Sequence, residues 1–142
     1  MVVKTERFYV LQIICRLLKI VILSMGTRFS SSSPKMFSSV ERKLINELIN
    51  KHCVVIFSKS HCIYCRKVKK LFDENNINFT TIELDKREDG SNMQDVLHEI
   101  TGSRTVPRVF INSECIGGAS DTEKLYQENK LFEKIKLCSS RL

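Results

Sequence analysis

The chain of 142 residues lacks any run of about 20 uncharged apolar residues, the length a helix needs to cross a bilayer. Its most apolar stretch, Phe8 to Ile14, Leu17–Leu18 and Ile20 to Leu23, is interrupted by Arg16 and Lys19, and each cation at a bilayer centre costs about 2.5–3.5 kcal/mol. Stable membrane insertion is therefore not expected. No segment repeats along the chain. Acidic residues are scarce at the N-terminus, where Lys4, Arg7, Arg16, Lys19, Arg28 and Lys35 face Glu6 alone. As a result, +5 of the net charge of +7 lies in residues 1–38, and residues 39–142 are close to neutral. The nucleic-acid partner that a basic chain first suggests loses its basis. Cysteines number six, and only Cys62 and Cys65 stand close together, which is too few and too irregular for a disulfide-stapled secreted scaffold.

The length suits one compact domain with a real core plus an appendage. Residues 1–38 are basic, acid-poor, amphipathic and end in Ser30 to Ser33 and Pro34. That pattern predicts a targeting leader and serine-rich linker of the mitochondrial (matrix) transit type, since a secretory signal has an uninterrupted apolar centre. Residues 39–142 form the domain. Translation from Met25 or Met36 would omit the leader and leave a cytoplasmic chain, and the segment starting Met25-Gly26 also fits a myristoylation pattern.

From Val40 the texture is globular. Val40, Leu44, Ile45, Leu48 and Ile49 recur at helical spacing, and Val54 to Phe57 is a short apolar run that predicts a buried strand. Cys65, Val68, Leu71 and Phe72 share a helical face opposite Arg66, Lys67, Lys69 and Lys70, and Asn75–Asn76 ends that helix. A strand over Phe79 to Leu84, a helix over Met93 to Ile100 closed by Gly102, and a strand over Arg108 to Ile111 follow. Asn112–Ser113 then turns into a short strand at Cys115–Ile116, ended by Gly117–Gly118. A last helix begins near Asp121, with Ser120 and Glu123 as a capping box, and continues through Leu131 to Leu137. The order predicts an α/β fold with a four-stranded mixed sheet. Its first two strands are parallel, its last two form a hairpin, and helices flank both faces, as in the thioredoxin-like class.

The segment Phe57-Ser58-Lys59-Ser60-His61-Cys62-Ile63-Tyr64-Cys65 sets a CxxC between a buried strand and the first turn of a helix. Free backbone N–H groups and the positive end of the helix dipole favour thiolate over thiol at such a position. Cys62 is thus expected to be the acidic, exposed nucleophile. Cys65, one turn on and on the apolar side, is expected to be the buried resolving thiol. Lys59 either attracts a thiolate or substrate carboxylate, or is an ordinary solvated lysine. His61 points elsewhere in the simplest reading, since an acidified thiol needs no base. A zinc site would need a second cysteine or histidine pair, and Cys15, Cys53, Cys115, Cys138, His52 and His98 form none.

Cys62-Ile63-Tyr64-Cys65, Thr105-Val106-Pro107 and Gly117-Gly118-Ala119-Ser120-Asp121 together resemble, in order and spacing, the three signatures of dithiol glutaredoxins. The likeness covers residues 40–138. It implies a glutaredoxin domain over 39–142, with glutathione as partner and cofactor. Lys59 and Gln94 would bind its glycine carboxylate, the backbone of Val106 its cysteine, and Ser120 and Asp121 its γ-glutamyl end, with Tyr64, Thr105 and Pro107 alongside. The Val106–Pro107 bond would be cis. The implied activity is reduction of glutathione mixed disulfides and protein disulfides through Cys62 and Cys65.

Ile63 stands where many dithiol members carry proline. Members without that proline include some that bind a [2Fe-2S] cluster between two subunits, with the first cysteine, here Cys62, as ligand. Under that alternative the chain would be a redox sensor or cluster carrier and a dimer; otherwise it is a monomer. Cys53 and Cys138 resemble an extra structural pair of some vertebrate-type mitochondrial members, and bridged and free states both stand open for them.

Overall fold

The computed structural model describes residues 38–139. The leader expected over 1–38 lies outside them, apart from the backbone of Ser38. The elements are α1 (Ser38–Lys51), β1 (Val54–Ser58), α2 (Ile63–Glu74), β2 (Thr80–Glu83), a 3-10 turn (Leu84–Lys86), α3 (Gly90–Thr101), β3 (Arg108–Ile111), β4 (Glu114–Gly117), α4 (Ala119–Gln127) and α5 (Lys130–Ser139).

All five residues of β1 are buried, as a strand covered on both faces requires. It lies inside a sheet of order β2-β1-β3-β4, parallel to β2 and antiparallel to β3. The parallel pair needs a crossover, which α2 supplies. The β3–β4 hairpin turns at Asn112 and Ser113, both at positive φ (55° and 68°), the conformation a two-residue hairpin loop favours. Alternate side chains of β1 enter two separate layers. Val55 and Phe57 pack with Ile45 and Ile49 of α1, with Met93, Val96 and Leu97 of α3, and with Phe110 of β3. Val54 and Ile56 pack with Val68 and Phe72 of α2 and with Leu131 of α5. The helices therefore cover both faces, as the sequence predicts.

Four details differ from expectation. The last helix breaks at Asn129, whose φ of 58° is left-handed backbone that asparagine adopts at low cost. The break lets α5 turn back so that Leu131 is fully buried. The cap of α4 is not Ser120 with Glu123. Gly118 precedes the helix, and its N–H donates to Asp121 Oδ2 at 2.8 Å. The strand expected to reach Leu84 stops at Glu83, because Leu84 turns into the 3-10 segment and is buried in the first layer. Lys69 leaves the solvated face of α2 and pairs with Glu83 at the end of β2.

A disulfide joins Cys53, just before β1, to Cys138 in the last turn of α5, 85 residues apart. Its Cα separation of 5.6 Å is one a disulfide commonly spans. Removing loop-closure entropy from the unfolded chain in this way typically stabilises by about 2–4 kcal/mol.

Candidate active site

The sheet core fixes where β1 ends, and the site begins there. Cys62 is the residue before α2, in extended backbone (φ −79°, ψ 120°) with no capping side-chain hydrogen bond. Its N–H donates to Lys59 O at 3.0 Å, and its carbonyl accepts from Arg66 N–H at 3.2 Å. The first turn of α2 holds no acidic residue, so the unpaired N–H groups there meet no competing anion. Cys62 is partly rather than fully exposed and Cys65 is buried, both as free thiols. Cys62 Sγ lies 3.7 Å from the carbonyl oxygen of Val106. The Val106–Pro107 peptide is cis.

Burial pushes the Cys65 thiol up, opposed by a hydrogen bond from the Lys59 backbone and by the Ser58 hydroxyl, while Cys62 raises it further. The Ser58 hydroxyl is buried with no hydrogen-bond partner among the described residues, and it stands near enough to the Cys65 thiol to draw it down. The two cysteines thus differ in access. Cys62 meets solvent at the head of the helix, and Cys65 stays a neutral thiol to higher pH than a free cysteine.

The other sequence-predicted residues fall into three groups. Lys59 is half-buried in the loop before Cys62 and forms no ion pair among the described residues. On the second segment, Gln94 Nε2 donates to Arg104 O at 2.6 Å, which ties α3 to the loop leading into Thr105, Val106 and Pro107. Tyr64 (58% exposed) and Ser120 border one groove of about 350 Å³ between α2 and α4. Lys67 Nζ lies 5.8 Å from the Tyr64 ring centre. Asp121 is exposed in the first turn of α4. A larger cavity of about 530 Å³ lies around the disulfide, at Cys53, Cys138, Phe132 and Ile135, and includes no residue of the CxxC site. Cys115 is a free, half-buried thiol on β4.

Sequence reasoning missed the support beneath the cysteine loop. Ser60 N–H donates to Asp85 Oδ1 at 3.0 Å, its hydroxyl donates to Oδ2, and His61 Nδ1 stands 3.5 Å from the same oxygen. These bonds from the Ser60 hydroxyl and backbone hold the Asp85 carboxyl down to about 2, so the clamp persists throughout the neutral range. The sequence separation of 25 between the partners leaves no local signal. The contact exists because the parallel register sets Ser58 opposite Glu83, bringing the two strand ends together. Arg108 was equally invisible as a site residue. It is buried, and its Nε donates to Thr105 O at 3.0 Å.

A pH profile tests the asymmetry of the pair. In Cys62→Ser, the rate of Cys65 alkylation by iodoacetamide is expected to rise only at a pH above that of a free cysteine, because burial, the largest cause of the shift, remains. A midpoint at or below the free value would contradict it.

The family model described as Glutaredoxin matches residues 54–116. The protein described as "Glutaredoxin-2, mitochondrial" of Mus musculus is 50% identical over 94 residues, 66% of this chain and 60% of that protein. That of Homo sapiens is 46% identical over 109 residues, 77% and 66% of the two chains. The aligned region therefore spans about three fifths to two thirds of these mammalian relatives. "Glutaredoxin-C4" of Arabidopsis thaliana is 42% identical over 113 residues, 80% of this chain and 84% of that protein. Among solved structures, a buckwheat glutaredoxin–glutathione complex superposes with a TM-score of 0.72 at 37% identity, over 74% of this chain and 96% of the other. With the CxxC pair at the head of α2, the thioredoxin-like sheet and relatives matched over most of their length, the chain belongs to the glutaredoxin family.

Proposed function

We propose that the chain is a glutathione-dependent thiol–disulfide oxidoreductase that reduces glutathione mixed disulfides and protein disulfides. The observation that carries this reading is the position of Cys62, partly exposed ahead of α2 with its sulfur 3.7 Å from the Val106 carbonyl and a buried thiol one turn behind. In the first step, the Cys62 thiolate attacks the glutathione sulfur of a mixed disulfide. A new Cys62–glutathione disulfide forms, the old disulfide breaks, and the substrate thiolate leaves. The thiolate of a second glutathione then attacks the glutathione sulfur on Cys62, releasing oxidised glutathione and the Cys62 thiolate. With a protein disulfide, the Cys62 thiolate attacks one substrate sulfur and the other leaves as a thiolate; the Cys65 thiolate then attacks the Cys62 sulfur, forming the Cys62–Cys65 bond and releasing the first substrate sulfur as a thiolate. Two glutathione molecules then reduce the resulting Cys62–Cys65 bond.

Glutathione would lie along the Thr105–Pro107 segment, with the Val106 backbone facing its cysteine. Its glycine carboxylate would meet Lys59, and Gln94 would act there while steadying the loop through Arg104. Its γ-glutamyl end would meet Ser120 and Asp121, an N-terminal turn suited to a carboxylate beside an anion suited to an ammonium. Tyr64 would flank the bound peptide. No observation favours the [2Fe-2S] alternative, in which Cys62 would be this chain's ligand. Ile63 is a bulky side chain, 56% exposed, beside that cysteine.

We also propose that residues 1–38 are a leader for the mitochondrial matrix, supported by their acid-poor basic composition and by the mitochondrial designation of the mammalian relatives. No helix among the described residues is long and apolar enough to cross a membrane.

Two experiments test these readings. Reduction of a small glutathione mixed disulfide is expected to fall to background in Cys62→Ser and to persist in Cys65→Ser, with protein-disulfide reduction lost in both. Activity retained without Cys62 would overturn the mechanism. The full chain carrying a C-terminal fluorescent tag is expected in mitochondria, and a chain begun at Met36 in the cytoplasm. Identical distributions would remove the leader.

A further inference from the structure

Arg108 is the one buried cation among the described residues, 9% exposed, and it joins none of the ion pairs formed among them. Its partners are neutral. Nε donates to Thr105 O at 3.0 Å, and Nη2 donates to Ser103 Oγ at 2.9 Å and to Thr105 Oγ1 at 2.8 Å. A guanidinium withdrawn from water without an anion is costly, and hydrogen bonds to hydroxyls and a carbonyl offset that only in part. Its location suggests what completes it. A Cβ built on Gly118 would stand 3.5 Å from Arg108 Nη2, 3.6 Å from Pro107 O and 3.9 Å from Asp121 Oδ2. The bare Gly118 backbone is therefore flanked by a fixed cation below and a carboxylate at the start of α4. The same guanidinium ties down the loop that carries Val106.

We propose that Arg108 determines specificity for the γ-glutamyl end of glutathione: its buried cation, acting through the Gly117–Gly118 turn, favours the α-carboxylate of an amino-acid group whose α-ammonium meets Asp121. The inference deepens the glutathione reading and rests on it. A cation and an anion on either side of a backbone without a side chain match a zwitterion. Removing one charge from that ligand leaves one protein charge without its complement. Because the guanidinium is sheltered from solvent, its field is screened less than that of a surface arginine. Arg108 acts as a positioning residue and takes no part in bond exchange.

The test uses the full chain and two substrates. One is a peptide carrying glutathione in mixed disulfide. The other is the same peptide carrying 4-aminobutyryl-cysteinyl-glycine, which is glutathione without its α-carboxylate. The readout is the ratio of the second-order rates at which each modifies Cys62. Wild type is expected to prefer glutathione by roughly tenfold, the scale of one incompletely screened charge pair. Arg108→Gln is expected to bring the ratio close to unity, and Arg108→Lys, which keeps the charge but not the fork, to retain most of it. A purely structural role would slow both substrates alike and leave the ratio unchanged, which would overturn the proposal, as would a wild type without preference. If the glutamine variant does not fold by far-UV circular dichroism, Arg108→Met fills the same buried space without charge and decides the matter. A wild type that exchanges with neither substrate would remove the glutathione reading itself, a result distinct from exchange with both at equal rates.

Discussion

A single strand buried on both faces and bonded along both edges constrains everything else in this domain. β1 donates Val55 and Phe57 to one core layer and Val54 and Ile56 to the other, and it pairs with β2 and β3 along its length. It has no freedom to slide, since a shift of one residue would exchange the contents of the two layers. The chain leaving its C-terminal end at Ser58 is therefore fixed in space, and Cys62 stands four residues beyond. The parallel partner β2 ends at the same level, so the Asp85 carboxylate can clamp Ser60. The antiparallel partner β3 begins at that level too, so Val106 and Pro107 arrive beside the cysteine loop.

Around that fixed end, polar groups divide the work by burial. Cys62 has access to solvent and to backbone N–H groups of the first helical turn. Cys65, buried behind it, is restrained as a nucleophile by its surroundings and opposed only in part by Ser58 and Lys59. Under the proposed mechanism a thiol that is slow to ionise suits the second position, because a slow Cys65 leaves the Cys62–glutathione bond standing for attack by a second glutathione. The disulfide lies away from this chemistry, among the residues before β1 and at the end of α5. It ties the last helix to the strand that carries the site.

Much of the fold was readable because its signals are local. The apolar run Val54 to Phe57, the helical face of Cys65, Val68 and Phe72, and the Asn112–Ser113 turn each reflect one element's own requirements. The final helix misled because apolar spacing continues across Asn129, while the left-handed break depends on how Leu131 packs. Ser120 and Glu123 fit a capping pattern as well as Gly118 and Asp121 do. Only the arrival of β4 decides between them, since a Cβ at Gly117 would stand 2.2 Å from Asp121 Oδ2. At the site, the CxxC was plain in the sequence. Its supports were not, since Asp85 and Arg108 look like ordinary surface charges until the sheet brings strand ends together.

The proposed activity stands or falls on glutathione bonding to Cys62 at the head of α2. Mass-spectrometric mapping of the Cys65→Ser chain after brief exposure to oxidised glutathione tests it most directly. One adduct is expected, on Cys62, formed ahead of any at Cys15 or Cys115 and removed by reduced glutathione. An adduct that forms first on another cysteine, or a Cys62 that remains unmodified, would contradict it.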